Sequence, residues 1–278
     1  MKAFSFIRRG RIWLLAGLLG WSLAGASAAP QTNAPVVVPL PNTHAHNDYE
    51  HVHPLFDALA QGFCSVEADI HLVGGELLVA HDAKHLDPQR TLESLYLAPL
   101  RKRIRENGGR VYRGGPQCVL LIDFKTDGAA MYPVLRRALE AYADIFSVFN
   151  DGRQETNALL AVLTGGYPRE LLAADPVRYA AGDGKVGDLD TNPPAALVPW
   201  ISENWAGLFR WRGAGVMPAT DAAKLDTLVR LAHEQGRRVR FWGAPDQAVF
   251  WQALQEHQVD LINSDDLAGV AKFMAAHR

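Results

Sequence analysis

The 278-residue chain is poor in cysteine, has no excess of positive charge and contains no apolar run long enough to cross a bilayer as a helix. Its only two cysteines, Cys64 and Cys118, lie in apolar stretches that read as strands. Small buried thiols are expected there, and export would also permit a disulfide; the sequence leaves both readings open. The main apolar run, "IWLLAGLLGW", is too short for a membrane span. It follows the basic segment "MKAFSFIRRGR" and precedes the small residues "AGASA", the layout of a signal peptide cleaved before Ala29. The Arg8-Arg9 pair is compatible with twin-arginine export, but a basic leader alone accounts for it, and an uncleaved anchor is the minor option.

Residues 1–28 are therefore expected to be lost, residues 29–41 to form a Pro-containing linker, and residues 42–278 to form one domain in an exported, periplasmic or secreted protein. Cleavage removes four basic residues and no acids, which leaves 24 Lys+Arg against 30 Asp+Glu. An acidic surface suits neither nucleic acid nor stable attachment to an anionic membrane, both of which need a positive footprint. The oligomeric state is left open.

Short apolar runs alternate with amphipathic ones along the domain. Strands are expected at the stretch ending near His46, then at "FCSVEADIHLV", "ELLVAHD", "CVLLIDFK", "ALLAVLTG", "ALVPWIS", "RVRFWG" and "VDLINSD". Helical patterns cover Pro54–Gln61, Ala129–Ala143, Asp221–Gln235, Asp246–His257 and Asp265–Ala276. Asp221, Asp246 and Asp265 are placed as caps or first-turn acids. Eight strands alternating with helices over about 250 residues predict an α/β fold, a single TIM-type (β/α)8 barrel. A doubly wound sheet would usually carry a Gly-rich phosphate turn after its first strand, and none is present. The Gly/Asp/Pro-rich segment Arg178–Pro194 reads as a long loop. The basic stretch Leu100–Gly115 reads as a solvated helix rather than an anion-binding patch.

Three strand ends carry polar residues two apart, and therefore on one face: His44 and His46, Glu67 and Asp69, Asp123 and Lys125. The strand candidate between the second and third of these ends in His81-Asp82. Glu67 and Asp69 stand among Phe63, Cys64, Val66, Ala68 and Ile70, so the pair is expected to be buried. A buried, unpaired carboxylate costs several kcal/mol, a large part of the ~5–15 kcal/mol that stabilises a domain. Glu67, Asp69 and Asp123 therefore call for a cation. An all-carboxylate set suits Mg²⁺ or Ca²⁺ better than zinc. The plainer reading is a structural ion cluster neutralised by Lys125 and an arginine, but one lysine is a poor match for three acids. His46 and His81 are placed as acid and base, and His44 as a support. His51 and His53 read as loop residues, and His71 as an exposed loop position.

The segment Ala45–Asp82 ("AHNDYEH…VEADIH…VAHD") resembles the first motif block of the phosphatidylinositol phospholipase C-like phosphodiesterase superfamily, especially the glycerophosphodiester phosphodiesterases. "IDFKTD" and "DLINSDD" resemble that family's fourth-strand and last-strand motifs. The resemblance implies a barrel with a divalent cation on Glu67, Asp69 and Asp123, and acid–base roles for His46 and His81. It also implies Lys125 on the phosphate of a small phosphate-ester substrate. Two departures stand out. Asn47 replaces the arginine that follows the first histidine in better-known members, and so a neutral dipole stands where a bidentate clamp would be. Asp123 is one methylene shorter than the usual glutamate. Asn47 and, from a later strand end, Trp242 are the remaining candidates for substrate contact. Two other functions compete: a zinc hydrolase of the amidohydrolase or polymerase-and-histidinol-phosphatase type, for which "HAH" is a familiar opening, and a catalytically silent binding barrel.

Overall fold

The computed structural model describes residues 37–150 and 153–277. The expected signal peptide and linker residues 29–36 lie outside that range. Among the described residues, no helix is long and apolar enough to cross a membrane.

Eight parallel strands form a nearly closed barrel: β1 Thr43–Ala45, β2 Ser65–Val73, β3 Cys118–Phe124, β4 Leu159–Gly165, β5 Ala181–Gly184, β6 Trp200–Asn204, β7 Arg238–Trp242 and β8 Ile262–Ser264. Each pairs with its sequence neighbour, β1 also pairs with β8, and the circle closes through a single bridge between Arg240 and Leu261. The longer outer helices are α1 Ala98–Glu106, α2 Gly128–Glu140, α3 Ala219–Glu234, α4 Ala248–Glu256 and α5 Leu267–Ala276.

The period of two on the strands explains where the core sits. On β3, Cys118, Leu120, Ile122 and Phe124 join the large cluster packed against the helices, with Val66, Ala68 and Ile70 from β2. Their alternates Val119 and Leu121 pack with Leu160, Val162 and Trp200 in a smaller cluster that fills the barrel interior. Asp123 is in phase with Val119 and Leu121, and Glu67 and Asp69 alternate with the outward-facing residues of β2. The carboxylates therefore point inward, above an apolar plug. Cys64 and Cys118 are buried free thiols.

The expected strand count is right, but two members differ. "ELLVAHD" is not a barrel strand. Residues Glu76–Val79 fold back antiparallel on β2, pairing Ile70 with Val79 and Val73 with Glu76. The reason is the two-residue turn Gly74-Gly75, with φ of 60° and 92°. Such a turn joins antiparallel strands, whereas parallel strands need a long crossover. The missing barrel strand is β5, inside the segment read as a loop. Its sequence "AGDG" has low strand propensity, and pairing on both sides imposes the conformation: Val162 and Leu163 with Ala181 and Gly182, Trp200 and Ile201 with Asp183 and Gly184. The glycines are needed for close approach, since a Cβ on Gly182 would overlap the Tyr167 ring and one on Gly184 the Val198 side chain.

Candidate active site

At the C-terminal ends of the strands, where barrel enzymes build their sites, a cavity of about 250 Å³ is lined by His46, Asn47, Glu67, His81, Asp123, Lys125, Thr164, Gly165, Lys185, Arg240 and Trp242. Seven of the eight expected site residues are in this wall. The eighth, Asp69, lies fully buried behind it.

Parallel pairing sets Asp69 directly beside Asp123. With Glu67 they form the only described cluster of metal-ligating side chains, one oxygen from each lying within 4.8 Å of the others. Burial, and then the Glu67 charge, push the Asp69 carboxyl up to about 6. Asp69 Oδ2 is well supplied: Tyr49 donates its hydroxyl at 2.6 Å and Lys125 its ammonium at 2.9 Å. Asp69 Oδ1 is buried and has no partner. A buried, unpartnered oxygen in a cluster of three carboxylates is what a hard cation would satisfy. Lys125 also donates to Asp123 Oδ2 at 2.6 Å. Gly165, at φ 68°, leaves room for the other Asp123 oxygen, which a Cβ there would overlap.

Glu67 is held from below. Burial alone would raise its pKa, but the His44 hydrogen bond and the Arg240 charge outweigh it and hold the carboxyl below the usual range. His44 is wholly buried, and burial and then Arg240 lower its pKa to about 4, so it is neutral. Ser65 Oγ lies 2.7 Å from Nδ1, while Nε2 stands 3.0 Å from Glu67 Oε2 and 2.7 Å from the Arg240 guanidinium. Arg240 Nη1 adds hydrogen bonds to Glu67 at 3.3 Å and to Asn263 at 3.1 Å.

His46 and His81 are anchored alike. His46 Nδ1–H donates to Asp265 at 2.9 Å, and His81 Nδ1 lies 3.1 Å from Asp69 Oδ2. In each ring, Nε2 has no partner among the described residues. Burial pulls the His46 pKa down, but the Asp265 hydrogen bond and the Glu67 and Asp265 charges more than offset it, leaving the imidazole above its ordinary value. Asn47, held at φ 48°, places its amide nitrogen 3.0 Å from His46 Nδ1 and its Oδ1 2.8 Å from the Tyr49 hydroxyl oxygen.

Several site residues escape a reading of the sequence. Asp265 caps no helix: Asp266 does so, accepting from the Gly269 amide, while Asp265 turns to His46. Arg240 is two positions before Trp242 on β7, so the same i, i+2 rule that paired the acids would have found it. Lys185 follows Asp183 as Lys125 follows Asp123, but the Gly/Asp/Pro-rich composition around them gives no strand signal. His71 is buried rather than exposed, and its Nε2–H donates to the Ala80 carbonyl at 3.0 Å. With the Ala80 amide on Asp69 O at 3.2 Å, it fixes the return that delivers His81. His53 is exposed and pairs with Asp57. Trp205 is core, packed against Phe209, Phe241 and Phe250.

Residues 33–180 match the profile of the AIM6-like phosphodiesterase domain. The chain belongs to that family. It is 33% identical to altered inheritance of mitochondria protein 6 of Eremothecium gossypii, over 90% of this chain and 73% of that protein. It is 27% identical to a homolog of that protein in Arthroderma benhamiae, over 83% and 82% of the two chains. Among solved structures it is similar to a glycerophosphodiester phosphodiesterase from Agrobacterium tumefaciens, with a TM-score of 0.51 and 14% identity over 85% of this chain and 100% of that one. It is also similar to a putative glycerophosphoryl diester phosphodiesterase from Silicibacter pomeroyi, with a TM-score of 0.52 and 13% identity over 88% and 95%. At these identities the structural likeness establishes the fold, a TIM barrel.

Proposed function

We propose that this AIM6-like domain is a divalent-cation-dependent phosphoric diester hydrolase acting on a glycerophosphodiester or related phosphate ester. The observation that carries the proposal is the convergence, on one cavity, of a three-carboxylate cluster and two imidazoles with free Nε2 atoms. Glu67, Asp69 and Asp123 would hold the cation, Mg²⁺ or Ca²⁺, which when bound supplies charge to neutralise the phosphoryl oxygens. Lys125, held between Asp69 and Asp123, balances the acids and contributes to the same field.

The histidines divide the proton work. Asp265 stabilises the imidazolium that His46 becomes on accepting a proton, so His46 is the base that takes it from the attacking water or neighbouring hydroxyl. His81 is the acid that gives one to the departing alkoxide. Trp242 and Asn47 border the cavity and contact the substrate. We also propose that the chain is exported, on the strength of residues 1–28.

The zinc-hydrolase alternative needs both histidines of "HAH" on the metal. His44 is not in the cavity wall and is held by Ser65 and Glu67, which speaks against it. A silent binding barrel would have no need of two imidazoles anchored through Nδ1. The test is nitrophenol release from bis(p-nitrophenyl) phosphate by metal-stripped protein resupplied with Mg²⁺, Ca²⁺ or Zn²⁺. Turnover restored by Mg²⁺ or Ca²⁺ is expected. Restoration by zinc alone would favour the alternative, and no turnover with any ion would sink the hydrolase reading for this substrate.

A further inference from the structure

Three cationic side chains line the cavity, and they are not equivalent. Lys125 lies between two carboxylates, 2.6 Å from Asp123 and 2.9 Å from Asp69. Arg240 is 3% exposed, with Nη1 directed to Glu67 and Asn263 and Nε–H to Ser202 Oγ at 3.2 Å. Lys185 differs. Its ammonium donates to the Ser202 carbonyl at 3.2 Å and has no carboxylate within 4.0 Å among the described residues. A carbonyl accepts a hydrogen bond without cancelling the charge, so Lys185 brings to the cavity wall a positive charge that no direct ion pair offsets.

Its position is built rather than accidental. The Lys185 amide donates to Asp188 Oδ2 at 2.8 Å, which fixes the backbone just beyond β5. The neighbouring Thr164 hydroxyl donates to buried Asp183 at 3.0 Å. Across the cavity stands Asn47, neutral where an arginine clamp would carry charge. The positive charge missing from the β1 side is present on the β5 side.

We propose that Lys185 is the phosphate-clamping residue of this site, donating to a non-bridging oxygen of the scissile phosphoryl group from the wall opposite Asn47. The inference rests on the phosphodiesterase reading and names which residue supplies the clamp. Charge selects the substrate class. Glu67, Asp69 and Asp123 are offset by Lys125 and a divalent cation. Asp183, Lys185, Arg240 and the protonated His81 then leave the cavity net positive, which suits an anionic phosphoryl group. A cavity of about 250 Å³ admits the phosphoryl group and a glycerol-sized alcohol, and larger alcohol portions must extend through the mouth.

The test uses the full mature chain with saturating Mg²⁺ and compares Lys185→Met, Lys185→Arg and the unmodified protein. Calorimetry measures binding of dimethyl phosphate, a monoanionic diester, and of inorganic phosphate; Mg²⁺ affinity, Tm and kcat/KM for bis(p-nitrophenyl) phosphate are measured alongside. Lys185→Met is expected to weaken dimethyl phosphate binding and to lower kcat/KM by tenfold or more, with Mg²⁺ affinity changed less than twofold. Lys185→Arg should recover most of both. Unchanged dimethyl phosphate binding in Lys185→Met overturns the proposal, as does no binding by the unmodified protein. A parallel loss of Tm and Mg²⁺ affinity would show a structural role and overturn it too. Tighter binding of phosphate than of dimethyl phosphate would overturn the diester as the class of substrate. Lys185-dependent binding without turnover would refute the hydrolase and leave the anion site standing; turnover indifferent to Lys185 would do the reverse.

Discussion

The two cavity histidines are held by the same device and reach it by different routes. His46 ends a barrel strand, and its anchor, Asp265, is 59% exposed in its side chain and sits just after β8. His81 comes from the end of a hairpin that leaves the barrel, and its anchor, Asp69, is wholly buried and shared with Lys125 and Tyr49. The first pair can be altered without touching the carboxylate cluster and the second cannot. Anchoring a ring by Nδ1 is thus a local device, whereas its dependence on the carboxylate cluster is set by which carboxylate does the anchoring.

The largest expected effects would break the comparison outright. His46→Ala and His81→Ala should each lower kcat by about 10²–10⁴-fold, the usual contribution of general acid–base groups, while circular dichroism shows the fold intact. Near-normal turnover in both would end the assignment. Next comes Glu67→Gln against Asp123→Asn. Both should weaken Mg²⁺ binding by at least about tenfold, because each removes a charged ligand. Only Glu67→Gln strips buried Arg240 of its carboxylate, and should cost about 3 kcal/mol in denaturant unfolding, as breaking a buried ion pair does. Equal stability of the two variants would contradict the role given to Arg240.

Asp265→Asn sharpens the contrast between the histidines. A base must be neutral to act, so the raised pKa of His46 places the acidic limb of kcat/KM above the ordinary imidazole value. Removing the Asp265 charge lowers that pKa, and the limb should move to lower pH with a weaker base at the plateau. Mg²⁺ affinity should stay as it was. A limb that does not move would take His46 out of the base role. The smallest effect is expected from Trp242→Ala: a KM raised a few-fold, with kcat and Tm nearly unchanged.

Much of the site was legible because it is written in the period of the strand. Glu67-x-Asp69 and Asp123-x-Lys125 lie on one face by the geometry of the pleat, and apolar neighbours announce that the face is buried. What failed to be read depended on partners distant in sequence. Asp265 looks like a helix cap until β8 docks beside β1 and brings it to His46, 219 positions away. "AGDG" looks like a loop because its strand form is stabilised by neighbours on both sides and not by its own side chains. The hairpin at Gly74-Gly75 had a local signal that was missed, since two adjacent glycines between apolar runs mark a tight reversal.

The sequence by itself therefore determined the fold class, the inward face of the acidic strands and the chemical type of the cluster, because these follow from local periodicity and the cost of burying charge. Tertiary structure alone decided which groups neutralise which. It tied Lys125 to two acids, set Arg240 beneath Glu67, gave His46 to Asp265 and left Lys185 with no direct ion-pair partner among the described residues. Electrostatic partnership falls off with distance in space and takes no account of distance along the chain, and only closure of the barrel brings these charges together.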